Sequence, residues 1–165
     1  RAMALRTIVT EPDELLRKRS RPVEKFDERL WQLLDDMKDT LIKADGVGLA
    51  AVQVGILRRV FIVMLDDKVY EFINPEILSS EGEQEGFEGC LSFPGVHGII
   101  KRPNVVKMRA QNRNGEWFEI TGEALFARAM CHENDHLDGH VIRDRADRLY
   151  TEAEIDEMME QEDAE

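Results

Sequence analysis

Apolar and polar positions alternate with two periods along the chain, and the switches between them mark out its elements. Leu30, Leu33, Leu34, Met37 and Leu41 recur at helical spacing with Asp and Lys between them, which predicts an amphipathic helix with a core-facing stripe. Asp27 is placed to cap its start and Gly46 to end it. Arg59 to Leu65 is a short β-branched run, the pattern of a buried strand. Asp66-Asp67-Lys68 turns it into a second strand, Val69 to Ile73, which Asn74-Pro75 breaks. Glu76 to Phe87 is polar and reads as an extended, partly exposed strand, and Pro94-Gly95 as a turn. Val105 to Gln111 and Trp117 to Thr121 read as a hairpin. Thr121 then caps a helix that buries Leu125, Phe126, Ala129 and Met130 and ends at Gly139. Ahead of all this, residues 1–26 form an arm punctuated by Pro12 and Pro22, with one helical turn around Asp13 to Leu16. Behind it, Thr151 to Glu165 carries only a thin stripe of Ile155, Met158 and Met159 and reads as a surface helix.

This succession predicts one domain over residues 1–150 and an acidic helical tail over 151–165, with no repeats and no linker. The 165 residues suffice for a real core. The net charge of −12 argues against a nucleic-acid or anionic-membrane partner, although eight of those excess charges sit in the tail. No apolar run has membrane-spanning length and no signal-peptide pattern is visible, so the expected compartment is the cytoplasm. Cys90 and Cys131 are then free thiols, each a small buried apolar group or a metal ligand.

The chemistry concentrates in His132-Glu133-Asn134-Asp135-His136. Residues four apart share a helix face, so both imidazoles can meet one cation, with the Glu133 carboxylate beside it to act on a water. A catalytic site of this kind keeps three protein ligands and one open position. Downstream candidates are poor: His140 lies beyond Gly139, and the tail glutamates are exposed. Upstream, Cys90 is a better third ligand than His97, because a thiolate binds zinc or ferrous iron strongly and Gly89 permits close approach. Cys131 projects about 100° away from His132 and belongs to the core. Gly46 to Gly55 contains GxGxxA but follows a helix rather than a strand, so it reads as backbone that must approach something closely. Gln53 is the polar side chain with reach in that run, either a satisfied turn amide or a functional donor.

Three stretches, Gly46-Val47-Gly48-Leu49-Ala50-Ala51-Val52-Gln53, Glu88-Gly89-Cys90-Leu91-Ser92 and His132 to His136, together resemble the three motifs of peptide deformylases, in order and spacing, within a span from about Leu5 to Arg148. The resemblance implies an α+β fold: antiparallel sheets packed around a central metal-binding HExxH helix, with an N-terminal helix and a C-terminal surface helix. It implies removal of the formyl group from N-formylmethionyl nascent polypeptides near the ribosome, by a monomer. The implied metal ligands are Cys90, His132 and His136. They would hold one divalent ion, Fe(II) in the cell, with Zn, Ni or Co as substitutes. Metal-bound hydroxide would attack, with Glu133 as general base and then acid, and the Gln53 amide and Leu91 N–H would stabilise the oxyanion. Val47, Gly48 and Gly89 would pair with the peptide backbone, and Leu125 and Ala129 are candidates for the wall of a methionine pocket, plain core being the alternative. Cys131 and Arg128 depart from the commonest family pattern and bear on specificity. A zinc endopeptidase and a structural metal domain are the competing readings of HExxH. The Glu-Gly-Cys-Leu-Ser stretch, and the want of a fourth protein ligand, separate them from the first.

Overall fold

The computed structural model describes residues 4–164. Helix α1 (Glu28–Ala44) is followed by strands β1 (Gly48–Ala50), β2 (Val60–Leu65), β3 (Lys68–Glu81), β4 (Gln84–Cys90), β5 (Phe93–Arg102), β6 (Val105–Gln111) and β7 (Trp117–Glu123). Then come helix α2 (Leu125–Leu137), the single turn α3 (Ile142–Arg145), strand β8 (Leu149–Thr151) and helix α4 (Glu152–Ala164). Two short 3-10 turns, Glu14–Arg17 and Ala51–Val54, complete the list among the described residues. The strands make two antiparallel sheets, one of five strands in the order β1-β2-β3-β6-β7 and one of three in the order β4-β5-β8. This is the α+β arrangement that the motifs imply.

The larger sheet is covered on both faces, which explains why β2 is apolar throughout rather than alternating. Val60 and Ile62 point to α1 and pack with Leu30, Leu33, Leu34, Met37 and Leu41. Phe61 and Val63 point the other way and join Phe72, Met108, Ala127, Met130 and Leu137 under α2. The smaller sheet has its own cluster of Leu16, Phe93, Ile100, Val141 and Ile142. The metal-motif helix is thus held between two sheets, with residues from Ala127 to Leu137 packed on the larger one.

Several sequence expectations need correction. Helix α1 is capped by Asp27, whose carboxylate accepts from Leu30 N–H at 3.3 Å, but the left-handed residue at its end is Asp45 (φ 56°) rather than Gly46. Asn74-Pro75 does not end a strand. Asn74 (φ 51°) forms a bulge inside a continuous β3, and its side chain bonds both the N–H (2.8 Å) and the carbonyl (2.9 Å) of Val23. A bulge is where a proline's missing N–H is tolerated in a strand. The stretch 76–87 divides at Gly82 (φ 70°), where β3 gives way to β4. Pro94 and Gly95 are not the turn after Cys90. The turn is Leu91-Ser92, and Pro94-Gly95-Val96 bulge out of β5 between the pairs Cys90–Phe93 and Gly89–His97. Thr121 does not cap α2: it pairs with Lys107 in β7, and the chain reverses into the helix at Ala124 (φ 52°) without a side-chain cap. Leu125 is 51% exposed rather than buried, while Ala129 and Met130 are buried as expected.

The boundary between residues 150 and 151 falls within β8, which pairs with Val96–Gly98 of β5, so α4 continues directly from a strand of the smaller sheet. In α4, Ile155 is buried and Met159 exposed. Glu165 and Arg1 to Met3, which open and close the spans read from the sequence, lie outside the described residues.

Gly139 (φ 79°) ends α2 as its C′ residue, and a Cβ there would collide with the backbone carbonyl of Arg17. The left-handed conformation alone costs a side-chain-bearing residue about 1–2 kcal/mol. Gly139→Ala should therefore lower the denaturant midpoint by at least that equivalent, and an unchanged midpoint would contradict this account of the helix end.

Candidate functional site

The site is assembled from pieces far apart in sequence. Helix α2 presents His132, Glu133 and His136; β4 presents Glu88 and Cys90; the 3-10 turn after β1 presents Gln53. The donor atoms of Cys90, His132 and His136 all lie within 4.8 Å of one another, and Cys90 Sγ is 3.4 Å from His136 Nε2. This is the ligand set read from the sequence, brought to one point. His97 and His140 stay outside it: His97 lies across from Gly89 in β5, and His140 is exposed beyond the helix end. Cys131 is buried in the core under α2, and burial pushes its thiol up.

His132 is oriented by a carboxylate. Its Nδ1–H donates to Glu88 Oε1 at 2.6 Å, which leaves the Nε2 lone pair for a metal. Glu88 is itself held by Arg102, which donates from Nη2 to Oε1 (2.6 Å) and from Nε to Oε2 (3.1 Å). Arg128 also donates to it, from Nη1 to Oε2 (2.7 Å). Arg102 further donates to Asp135 (2.7 Å), which receives both arms of Arg145. Burial would raise the Glu88 carboxyl, but His132 and Arg102 hold it well below the usual carboxylate range. Sequence reasoning missed this support. In the sequence Glu88 is only one residue of a motif, and nothing places Arg102, which is 5% exposed. The signals were two periodicities: Glu88 is two residues from Cys90 on a strand, and Arg128 is four from His132 on a helix.

Among the protein groups, charge is divided sharply. Burial raises the Glu133 carboxyl to about 7. Burial opposes a proton on His132, yet Glu133, Cys90 and Glu88 around it outweigh burial and raise it well above its ordinary value. Burial and the neighbouring His132 keep His136 well below its own. The cluster thus favours one positive charge among its donors, a role that a proton and a divalent metal compete for. Glu133 Oε1 is buried with no partner, and Oε2 of the same carboxylate lies 3.9 Å from His132 Nε2. A thiolate, two imidazoles and an unpaired carboxylate suit one zinc or iron(II) ion with an open position.

The glycines explain how these groups fit. A Cβ on Gly48 would lie 2.5 Å from Glu133 Oε2, so β1 passes directly against the carboxylate. A Cβ on Gly89 would lie 2.7 Å from the His97 ring. Gln53 is 1% exposed; its Oε1 accepts from Ala50 N–H (2.9 Å), and its Nε2 donates to Ser92 Oγ (3.1 Å) and lies 3.5 Å from Cys90 Sγ. It is a satisfied amide that also faces the thiolate. Leu91 stands in the turn outside the paired strand residues. A cavity of about 600 Å³ opens here, lined by Val47, Gly48, Gly89, Leu125 and Ala129 together with Cys90, His132 and Glu133.

Residues 5–152 match the family model described as polypeptide deformylase. The chain belongs to the polypeptide deformylase family. It is 52% identical over 155 residues to the peptide deformylase of Caldicellulosiruptor bescii, covering 94% of this chain and 93% of that protein. The crystal structure of peptide deformylase from Thermotoga maritima superposes with a TM-score of 0.85 at 42% identity, covering 87% of this chain and 99% of that one. A class I type b peptide deformylase from Acinetobacter baumannii, in a crystal structure with Met-Ala-Ser bound, gives a TM-score of 0.84 at 31% identity, again covering 87% and 99%. Membership in the deformylase family decides among the three readings of HExxH: the chain is a metal-dependent hydrolase that removes N-terminal formyl groups from peptides.

Gly48→Ala should retain metal and fold yet lose activity at least tenfold, because the new methyl displaces the Glu133 carboxylate; metal content and kcat measured side by side check it. Glu88→Gln should weaken metal binding about 10- to 100-fold, the usual effect of losing such an outer partner. Competition with a calibrated chelator measures that, and an unchanged affinity would remove Glu88 from this role.

Proposed function

We propose that Cys90, His132 and His136 hold one divalent metal, Fe(II) in the cell with Zn, Ni or Co as substitutes, and that around it the chain deformylates N-formylmethionyl nascent polypeptides. The observation that carries this reading is the convergence of a thiol and two imidazoles within 4.8 Å, beside a buried, unpaired Glu133 oxygen. When bound, the metal supplies Lewis acidity at the formyl group and lowers the pKa of a water towards neutrality.

The remaining chemistry belongs to the chain. Glu133 takes the proton of the attacking water and returns one to the departing amine, and a carboxyl raised to about 7 by burial suits both steps. The Gln53 amide and the Leu91 N–H donate to the oxyanion as it forms; losing one such donor costs about 3–4 kcal/mol of barrier. Gln53 is anchored by its bonds to Ala50 and Ser92, so it needs little reorganisation for this. Glu88 holds the His132 ring in the tautomer that offers Nε2.

The peptide lies extended between two sheet edges. β1 is an edge of the larger sheet and β4 an edge of the smaller one, and both border the cavity, so Val47, Gly48 and Gly89 offer backbone groups for strand addition. Leu125, exposed on the cavity side, and the small Ala129 form the wall for the methionine side chain. The protein acts as a monomer in the cytoplasm, on chains leaving the ribosome. In support, the whole ligand set comes from one chain, and no described helix is long and apolar enough to cross a membrane.

Formyl-Met-Ala-Ser should be turned over with release of formate, and an unformylated peptide left intact. Glu133→Ala should keep its metal and lose at least a hundredfold in kcat, while Cys90→Ser should lose metal or change which metal it retains. Wild-type turnover in Glu133→Ala would remove the base assignment, and unaltered metal affinity in Cys90→Ser would remove the thiolate ligand.

A further inference from the structure

The N-terminal arm takes no part in the chemistry above, yet it runs past both oxyanion donors. Val9 N–H donates to the Gln53 carbonyl at 2.7 Å, and Glu11 N–H donates to the Ser92 carbonyl at 2.9 Å. Alternate residues of an extended chain turn the same way, so one short segment can hold two acceptors. These acceptors belong to different halves of the site. Gln53 follows β1 of the larger sheet, and Ser92 follows Leu91 in the turn from β4 to β5 of the smaller one. Among the described residues no strand of one sheet pairs with a strand of the other. Gln53 Nε2 also donates to Ser92 Oγ at 3.1 Å, so Val9, Glu11, Ser92 and Gln53 close a ring of three hydrogen bonds across that division.

The arm is fixed on either side of this ring. Upstream, Arg6 donates from its N–H to Thr40 Oγ1 and from Nε to Asp36, both at 3.0 Å and both on α1. Downstream, the two carboxylate oxygens of Glu11 accept from Arg143 of α3 at 3.0 Å each. Between them the Val9 side chain packs against the cluster of Phe93, Ile100 and Val141, as Cys90 does, while its N–H reaches across to Gln53. A donor stabilises an oxyanion fully only if it is already in place when the charge develops, so whatever anchors the donor shares in setting the barrier. We propose that Val9 and Glu11 are positioning residues, whose backbone N–H groups set the separation between the Gln53 amide and the Leu91 N–H. This rests on the reading that those two donors meet the oxyanion.

The test replaces single N–H groups by ester oxygens in the metal-loaded full chain, using the α-hydroxy analogues of Val at position 9, Glu at position 11 and, as control, Thr at position 10. Thr10 N–H makes no hydrogen bond among the described residues. The esters at 9 and 11 should each lower kcat for formyl-Met-Ala-Ser about tenfold with KM within twofold, because a slightly displaced donor is missed chiefly by the transition state. Metal affinity, read by chelator competition, should not change, and the ester at 10 should match the wild type. Wild-type kcat in the ester at 9 or at 11 overturns the proposal. So does a loss shared equally by the ester at 10, or one accounted for by weaker metal binding, since a merely structural arm would behave that way. Gln53→Ala separates this proposal from the reading beneath it: undiminished turnover there counts against the oxyanion donors. The positioning is then still read from ¹⁵N relaxation of the Gln53 side-chain amide, which should be rigid in the wild type and mobile in the esters at 9 and 11. Equal rigidity in all of them would overturn it.

Discussion

The buried carboxylate of Glu88 is the group on which the rest of the site depends. It accepts from His132, Arg102 and Arg128 and so ties β4, which carries Cys90, to α2, which carries both histidines. Removing a carboxylate from water costs several kcal/mol unless its oxygens are fully paired. Here both oxygens are, and the partners hold the group ionised. Each arginine has a second tie, Arg102 to Asp135 and Arg128 to the Ile100 carbonyl, and Asp135 is held in turn by Arg145 beyond the helix end. The smaller sheet and α2 are thereby fixed around one point, with the His132 tautomer decided as a consequence.

Close backbone approach is the second constraint. A metal site with a carboxylate base and a peptide substrate requires chain on both sides of a narrow groove. Gly48 lets β1 run against Glu133, and Gly89 makes room for the His97 ring across from it in β5. Glycine here costs conformational entropy in a strand and is retained where no side chain fits. The result is an edge strand on each side of the cavity and a reactive cluster at its floor.

Much of this was legible in the sequence where the signal is local. Helix α1 followed from the Leu30–Leu41 stripe, the β6–β7 hairpin from its flanking runs, and the paired histidines from their spacing of four. Cys90 needed more than spacing, since it came from weighing candidate ligands and from the motif resemblance. What was illegible is long-range or conformational. Asn74-Pro75 looked like a breaker because nothing in the sequence shows Val23 waiting to bond the Asn74 side chain. Thr121 looked like a cap because the reversal at Ala124 needs no side-chain cap. Leu125 looked like core because helical periodicity does not distinguish a packed face from one that opens on a cavity. Arg128 reads in the sequence as a departure that bears on specificity; its spacing of four puts it on the helix face of His132, but nothing local names Glu88, 40 residues away, as its partner.

The central claim is that one metal, held by three ligands from a single chain, sets the whole activity. It is tested most directly by titrating the metal-stripped protein anaerobically with Fe(II) and following formate release from formyl-Met-Ala-Ser. Activity should rise linearly from zero and stop at one equivalent per chain. Undiminished activity in the stripped protein, or a break at two equivalents, would contradict the account.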